Sequence, residues 1–276
     1  MTFPGPVLMS RATSANGTID PPIPNLPIPF FSISLERSAK KPVHVSLDVP
    51  HAAALRPLLQ KLPPELSWFK IGLELFSAEG PEIVRMLSAQ GKRIFLDLKF
   101  HDIPRTGAHA VTSAGKLGVN LMTVHAIGGR GMLQAAAEAA QALGPNRPRL
   151  VAVTTLTSLN QADFMDLGIQ RTVSEQALAL TQLALDSDID GVVTSVHEAA
   201  ALRQRFGPSP ILVTPGIRPA GADVGDQKRV ATPALAVESG ASYLVIGRPI
   251  VEAGDPLAAT RAIQAEIDQA FSRQSR

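Results

Sequence analysis

The chain has 276 residues, 45% of them hydrophobic and 18% charged, with a net charge of +2 and no cysteine. That length suits one large α/β domain with a sizeable core. The near-neutral charge offers no extended basic surface for nucleic acid or an anionic membrane, and the missing cysteines exclude disulfides, thiolate metal sites and a cysteine nucleophile.

The first 40 residues differ from the rest. Pro21–Pro29 reads PPIPNLPIP, which cannot form a helix and favours extended polyproline conformations. No apolar stretch approaches the roughly 18–20 residues needed to cross a bilayer, and no secretory leader is evident. We therefore expect a Pro-rich extension (1–40) without catalytic residues, then a catalytic domain over 41–276. The expected setting is the cytoplasm, with a small-molecule substrate and neither membrane nor nucleic acid as partner.

From Lys41 onward, short β-branched or apolar runs recur. They are Val43–Val49, Trp68–Leu73, Arg93–Phe100, Asn120–Ala126, Leu150–Leu156, Gly191–Val196, Ile211–Ile217 and Tyr243–Ile250. Helical-period segments lie between them, at Pro81–Gln90, Thr106–Leu117, Met132–Leu143, Ser174–Asp186 and Pro256–Phe271. Strands alternating with helices imply parallel strands joined by crossovers. Eight such units over about 235 residues match a closed (β/α)8 TIM barrel. A doubly wound open sheet would carry a glycine-rich turn after its first strand, where this chain reads LDVPHAAAL.

In such a barrel the chemistry sits at the carboxyl ends of the strands. Those ends carry Asp48, Lys70, Asp97 with Lys99, His125, Thr157, Ser195, Arg218 and Arg248. The sharpest segment is RIFLDLKFHDIPRT, residues 93–106. Alternation along a strand puts Asp97 and Lys99 on one face and Leu96, Leu98 and Phe100 on the other. With the apolar set against outer helices, both charged residues enter the mouth, where Lys70 and Asp102 can complete an alternating cluster. Buried charges are costly unless paired, and this set can pair internally. The bland alternative is a structural salt-bridge network; its place at the end of a barrel strand favours function. At the far side, LVTPGIRP and VIGRPI end the seventh and eighth runs, flanking the glycine-rich Ala220–Val230. Loops there commonly bind phosphate, and arginine supplies a bidentate fork.

DLKFHDIPRT resembles the signature of the orotidine 5′-phosphate decarboxylases, bacterial-type branch. The resemblance extends in order through VHVSLDV, FKIGLELF, MTVHAIGG, AVTTLTS, LVTPGIRP, GDQKR and YLVIGRPI, covering roughly residues 43–270. It implies decarboxylation of orotidine 5′-phosphate to uridine 5′-phosphate without metal or cofactor. By the same resemblance, Lys99 donates a proton to carbon six of the pyrimidine and Asp97 lies beside the scissile carboxylate. Lys70 links the network to the ribose, whose hydroxyls Asp48 holds. Gln227 and Arg248 contact phosphate, with Arg218 and the Gly247 amide nearby, and Thr157 or Ser158 reads the base. Asp102 and Thr106 reach the other subunit's site, which implies a homodimer.

Two other readings compete. Magnesium-dependent sugar-phosphate decarboxylases or aldolases of the same barrel superfamily share the D-x-K-x-x-D strand end; HDIP, PGIRP and GDQ favour the nucleotide enzyme. A phosphate-ligand binding protein that has lost catalysis would lack a charged residue of the cluster, and none of Lys70, Asp97, Lys99 or Asp102 is missing.

Overall fold

A computed structural model describes residues 43–219 and 229–274. The Pro-rich segment and Gln227 lie outside the described residues. Strands β1 (Val43–Ser46), β2 (Trp68–Gly72), β3 (Arg93–Phe100) and β4 (Leu121–His125) are followed by β5 (Arg149–Val153), β6 (Gly191–Val193), β7 (Ile211–Thr214) and β8 (Tyr243–Ile246). They close in sequence order into a barrel, β1 pairing with both β2 and β8, and every pairing is parallel. This is the expected TIM barrel.

The intervening helices are α1 (Ala52–Gln60), α2 (Leu73–Glu79), α3 (Glu82–Ala89), α4 (Pro104–Gly115), α5 (Gly129–Gln141), α6 (Gln161–Asp166), α7 (Val173–Leu185), α8 (Val196–Phe206), α9 (Pro233–Glu238), α10 (Arg248–Val251) and α11 (Pro256–Gln274). The five long helical segments expected from periodicity correspond to α3, α4, α5, α7 and α11, with ends shifted by up to three residues. Several strands stop earlier than their apolar runs. The regular ladder ends at Val153, Val193, Thr214 and Ile246, and the residues just beyond lead into the loops of the mouth.

Period-two alternation builds two separate cores. Val43, Val45, Phe69, Ile71, Ile94, Leu96, Met122, Val124, Leu150 and Ala152 face outward and pack under the helices. Trp68, Phe95, Leu121, Val151, Val213 and Val245 face inward and fill the barrel. At roughly 25 cal/mol per Å² of apolar surface buried, these two layers supply the main drive to fold.

The barrel floor is aromatic. His44 on β1 stacks between Trp68 (ring centroids 4.3 Å apart) and Tyr243 (4.6 Å). It is fully buried, and neither ring nitrogen has a hydrogen-bond partner among the described residues. Burial pushes its pKa down to about 3, so the ring is neutral. Nearby, Asp190 clasps the start of β5: Arg147 Nη1 and Nη2 donate to its two oxygens at 2.8 Å each, Arg149 Nη1 donates at 2.6 Å and the Leu150 amide at 2.8 Å. Burial would raise that carboxyl's pKa; the Arg147, Leu150 and Arg149 donors outweigh it and hold the group ionised.

His44 gives the fold a pH dependence of definite sign. Its folded pKa lies below its unfolded value near 6.5, so below about pH 6.5 the unfolded chain takes a proton that the native chain refuses. Stability should fall by up to about 1.4 kcal/mol per pH unit between 6.5 and 3 on this account alone. In urea unfolding followed from pH 7 to pH 4.5, His44→Phe should flatten the decline relative to wild type. Parallel curves for the two proteins would refute the assignment.

Candidate active site at the carboxyl ends of the strands

At the opposite end, the inward positions change from apolar to charged. Asp97 on β3 is the hub. Lys99 Nζ donates to its Oδ1 at 2.9 Å, and Lys70 Nζ, from β2, stands 3.6 Å from its Oδ2. Lys70 also donates to Asp48 Oδ1 at 3.3 Å, and the Ser46 hydroxyl donates to Asp48 Oδ2 at 2.7 Å. The result is a chain of alternating sign running Asp48, Lys70, Asp97, Lys99 across three neighbouring strands.

The electrostatics make the cluster interdependent. Burial on its own would raise the Asp97 carboxyl; Lys70, Lys99 and the Thr123 hydroxyl overcome that and hold it below the usual carboxylate range. At 3.6 Å and an effective dielectric near 20, the Lys70–Asp97 attraction is about 4–5 kcal/mol. That is comparable with the several kcal/mol needed to strip water from either ion, so the pair roughly breaks even and removing one partner strands the other. Asp97 is therefore anionic throughout the neutral range.

The local backbone is unusual where the lysine sits. Lys99 has φ of +52°, a left-handed conformation that costs a non-glycine residue of order 1–2 kcal/mol. The β3–β4 register slips there: Leu96 pairs with Met122, yet Phe100 pairs with Val124. The bulge turns the lysine side chain back over Asp97, a device common beside active sites.

Two glycines make room at the Asp48 end. A Cβ on Gly72 would lie 2.8 Å from Lys70 Nζ, and one on Gly247 would lie 3.0 Å from Asp48 Oδ2. The first carboxylate of the cluster thus lies between the ends of β2 and β8 with backbone on either side.

The other expected residues are distributed as follows. Arg218 is buried just beyond β7, its amide donating to Ala231 O at 2.9 Å and its Nη1 to Ile217 O at 3.0 Å. Arg248 opens α10, immediately after Gly247 at the end of β8, and Thr157 lies half-buried after β5. Asp102 is not part of the cluster within this chain. It is exposed, its Oδ1 accepting from the Ile103 amide at 2.7 Å, and Thr106 is likewise exposed on the first turn of α4. The fourth charge of the intrachain set is Asp48 instead. Ser195, expected as a polar group at a strand end, caps α8 by accepting from the His197 amide. His125 ends β4 beside His101, ring centroids 5.4 Å apart, and burial with the neighbouring His101 and Lys99 charges lowers its pKa.

Sequence reasoning passed over two features. Glu198, buried on α8, pairs with Arg229, where the described chain resumes before α9, and accepts from Ser174 Oγ at 3.3 Å. This pair ties the return to α9 onto α8, close to the Ile217–Ala231 bridge that brackets Arg218. Gly72 was equally silent: a glycine beside a lysine carries no pattern until the ammonium's position is known.

A family model described as orotidine 5′-phosphate decarboxylase / HUMPS family matches residues 41–263. A protein of Moorella thermoacetica named orotidine 5′-phosphate decarboxylase is 52% identical over 244 residues, 87% of this chain and 97% of that protein. One of the same name from Nitrosococcus oceani is 49% identical, covering 83% and 98%. A crystal structure of orotidine 5′-phosphate decarboxylase from Lactobacillus acidophilus aligns with a TM-score of 0.74 at 39% identity, covering 83% of this chain and 99% of that one.

Gly72→Ala tests the packing of the cluster. The added methyl should push Lys70 Nζ away from Asp48 while changing unfolding free energy by no more than roughly 1–3 kcal/mol, the usual cost of overpacking. A crystal structure of the variant retaining the Lys70–Asp48 contact would show that the glycine is not needed for it.

Proposed function

We infer the reaction from one premise: the chain belongs to the orotidine 5′-phosphate decarboxylase / HUMPS family. It is a carboxy-lyase that decarboxylates orotidine 5′-phosphate, a step of pyrimidine nucleotide synthesis. Loss of carbon dioxide and gain of a proton at the same ring carbon leave uridine 5′-phosphate. The observation that carries the chemistry is the Lys99 ammonium, held 2.9 Å from a half-buried carboxylate at the mouth.

The site residues are assigned on that basis. The bond from ring carbon six to the carboxyl carbon breaks, and its electron pair stays on carbon six. Lys99 stabilises that developing charge and delivers the proton, a role worth typically 10²–10⁴-fold in rate. Its neutral amine then regains a proton from solvent. Asp97 holds the Lys99 ammonium in place and opposes the substrate carboxylate. At about 4 Å and an effective dielectric near 20 that repulsion is about 4 kcal/mol. Enzymes lower barriers by roughly 8–23 kcal/mol, so stabilisation of the carbanion carries most of the effect. Lys70 and Asp48 hold the ribose, Thr157 reads the base, and Arg218, Gln227, the Gly247 amide and Arg248 hold the phosphate. Phosphate grip far from the reacting carbon lets remote binding energy assist the chemical step.

The active unit is a homodimer in which Asp102 and Thr106 complete the neighbouring site. Three exposed apolar side chains support this: Leu73, Ile103 (67% exposed) and Ile127 follow β2, β3 and β4, three adjoining strands, with Asp102 beside Ile103. The segment 1–40 is an extension outside the catalytic domain. Among the described residues no helix is long and apolar enough to cross a membrane. From the family's biosynthetic role we place the enzyme in the cytoplasm. No metal takes part in the reaction.

Incubation with orotidine 5′-phosphate in chelator, followed by loss of the orotate ultraviolet absorbance, should show full turnover. Activity lost in chelator and restored by magnesium would favour a sugar-phosphate enzyme of the same superfamily. Lys99→Ala should lower kcat by at least roughly 10³-fold while uridine 5′-phosphate still binds; near-normal turnover would remove the assigned proton donor. Mixing inactive Lys99→Ala and Asp102→Asn proteins should regain up to about a quarter of wild-type activity, because half of the dimers are mixed and each has one intact site. No recovery after verified subunit exchange would place Asp102 outside the shared site.

A further inference from the structure

We propose that Thr123, on β4, is a positioning residue that sets the Lys99 ammonium over the reacting carbon. Its hydroxyl makes two bonds at once. It accepts from the Lys99 backbone amide at 2.8 Å and donates to Asp97 Oδ1 at 3.0 Å. The same Oδ1 accepts from Lys99 Nζ at 2.9 Å. Backbone amide, hydroxyl, carboxylate and ammonium thus close a ring in which both ends of Lys99 are tied to one oxygen, the ammonium directly and the amide through Thr123.

The need for this ring comes from the bulge. Between the Leu96–Met122 and Phe100–Val124 pairings, four steps along β3 match two along β4, so regular ladder bonding lapses across residues 97–99. The Lys99 amide would then be an unmet donor in the left-handed conformation that its φ of +52° defines. A hydroxyl reaching from the adjacent strand meets that donor. Thr123 is fully buried, and its β-branched side chain has few rotamers, so the hydroxyl is presented in one direction. Its single proton is committed to Asp97, which leaves the oxygen lone pairs for Lys99. Among the described residues Thr123 is the side-chain acceptor of the Lys99 amide, and it touches no substrate in the assigned roles.

Valine and serine separate this role from packing. Thr123→Val keeps the shape and removes the hydroxyl; Thr123→Ser keeps the hydroxyl and removes a methyl. This inference rests on Lys99 as proton donor, so activity is read together with two measurements independent of catalysis: amide hydrogen exchange at Lys99 and the NMR titration of the Asp97 carboxyl. For Thr123→Val we expect kcat to fall roughly 10- to 100-fold with KM changed by less than about threefold. Lys99 amide protection should be lost, and the Asp97 titration should move upward. Thr123→Ser should restore most of kcat, the protection and the titration. A valine variant with kcat within about twofold of wild type, or a serine variant as impaired as the valine one, overturns the proposal. If Lys99→Ala keeps its turnover, the proton-donor reading falls instead, while the exchange and titration results still judge whether Thr123 holds Lys99.

Discussion

One half-buried carboxylate organises the working end of this barrel. Burial pushes the Asp97 carboxyl up, and Lys70 and Lys99 on either side, with the Thr123 hydroxyl donating to it, bring it below the usual carboxylate range. Each ammonium is positioned in turn by the anion between them, so the cluster forms as a unit. Asp48 extends the alternation to β1, against the glycines that end β2 and β8. The closed parallel sheet makes this possible. Neighbouring strands in register bring residues from positions 48, 70, 97 and 99 within ion-pair reach without any one loop having to hold them.

The two ends of the barrel solve opposite problems. The floor is an aromatic stack, where even the histidine is uncharged, and Arg147 and Arg149 beside it are paired with Asp190. The interior above it is apolar up to Val151, Val213 and Val245. Only the last inward positions are charged. Stability and chemistry thus reside at different heights along the same strands, as is usual for this architecture. The mouth can then hold a costly set of charges because the layers beneath it do not depend on them.

Much of this was legible in the residues. Strict alternation in RIFLDLKF placed Asp97 and Lys99 inside and Leu96 outside, and the eight apolar runs set strand number and order. Strand ends were read too long because apolar residues such as Ile217 stay buried after the ladder stops, and burial pattern does not distinguish the two. Helix α1 escaped notice with Pro57 inside it, a residue that argues against helix from sequence alone. Within a single chain the charge set differs by one member from the sequence pattern. Sequence proximity suggested Asp102, whereas register across β1 and β2 delivers Asp48. Thr123 was invisible for a deeper reason. A threonine in a strand reads as ordinary β-propensity, and its task exists only because β3 bulges opposite it, which no local pattern announces.

The left-handed backbone at Lys99 has a consequence for how this protein can change. Glycine or asparagine would adopt that conformation more comfortably than lysine, yet either would take an ammonium away from Asp97. Backbone ease and charge balance thus pull position 99 in opposite directions, and the lysine that satisfies the second carries the strain of the first.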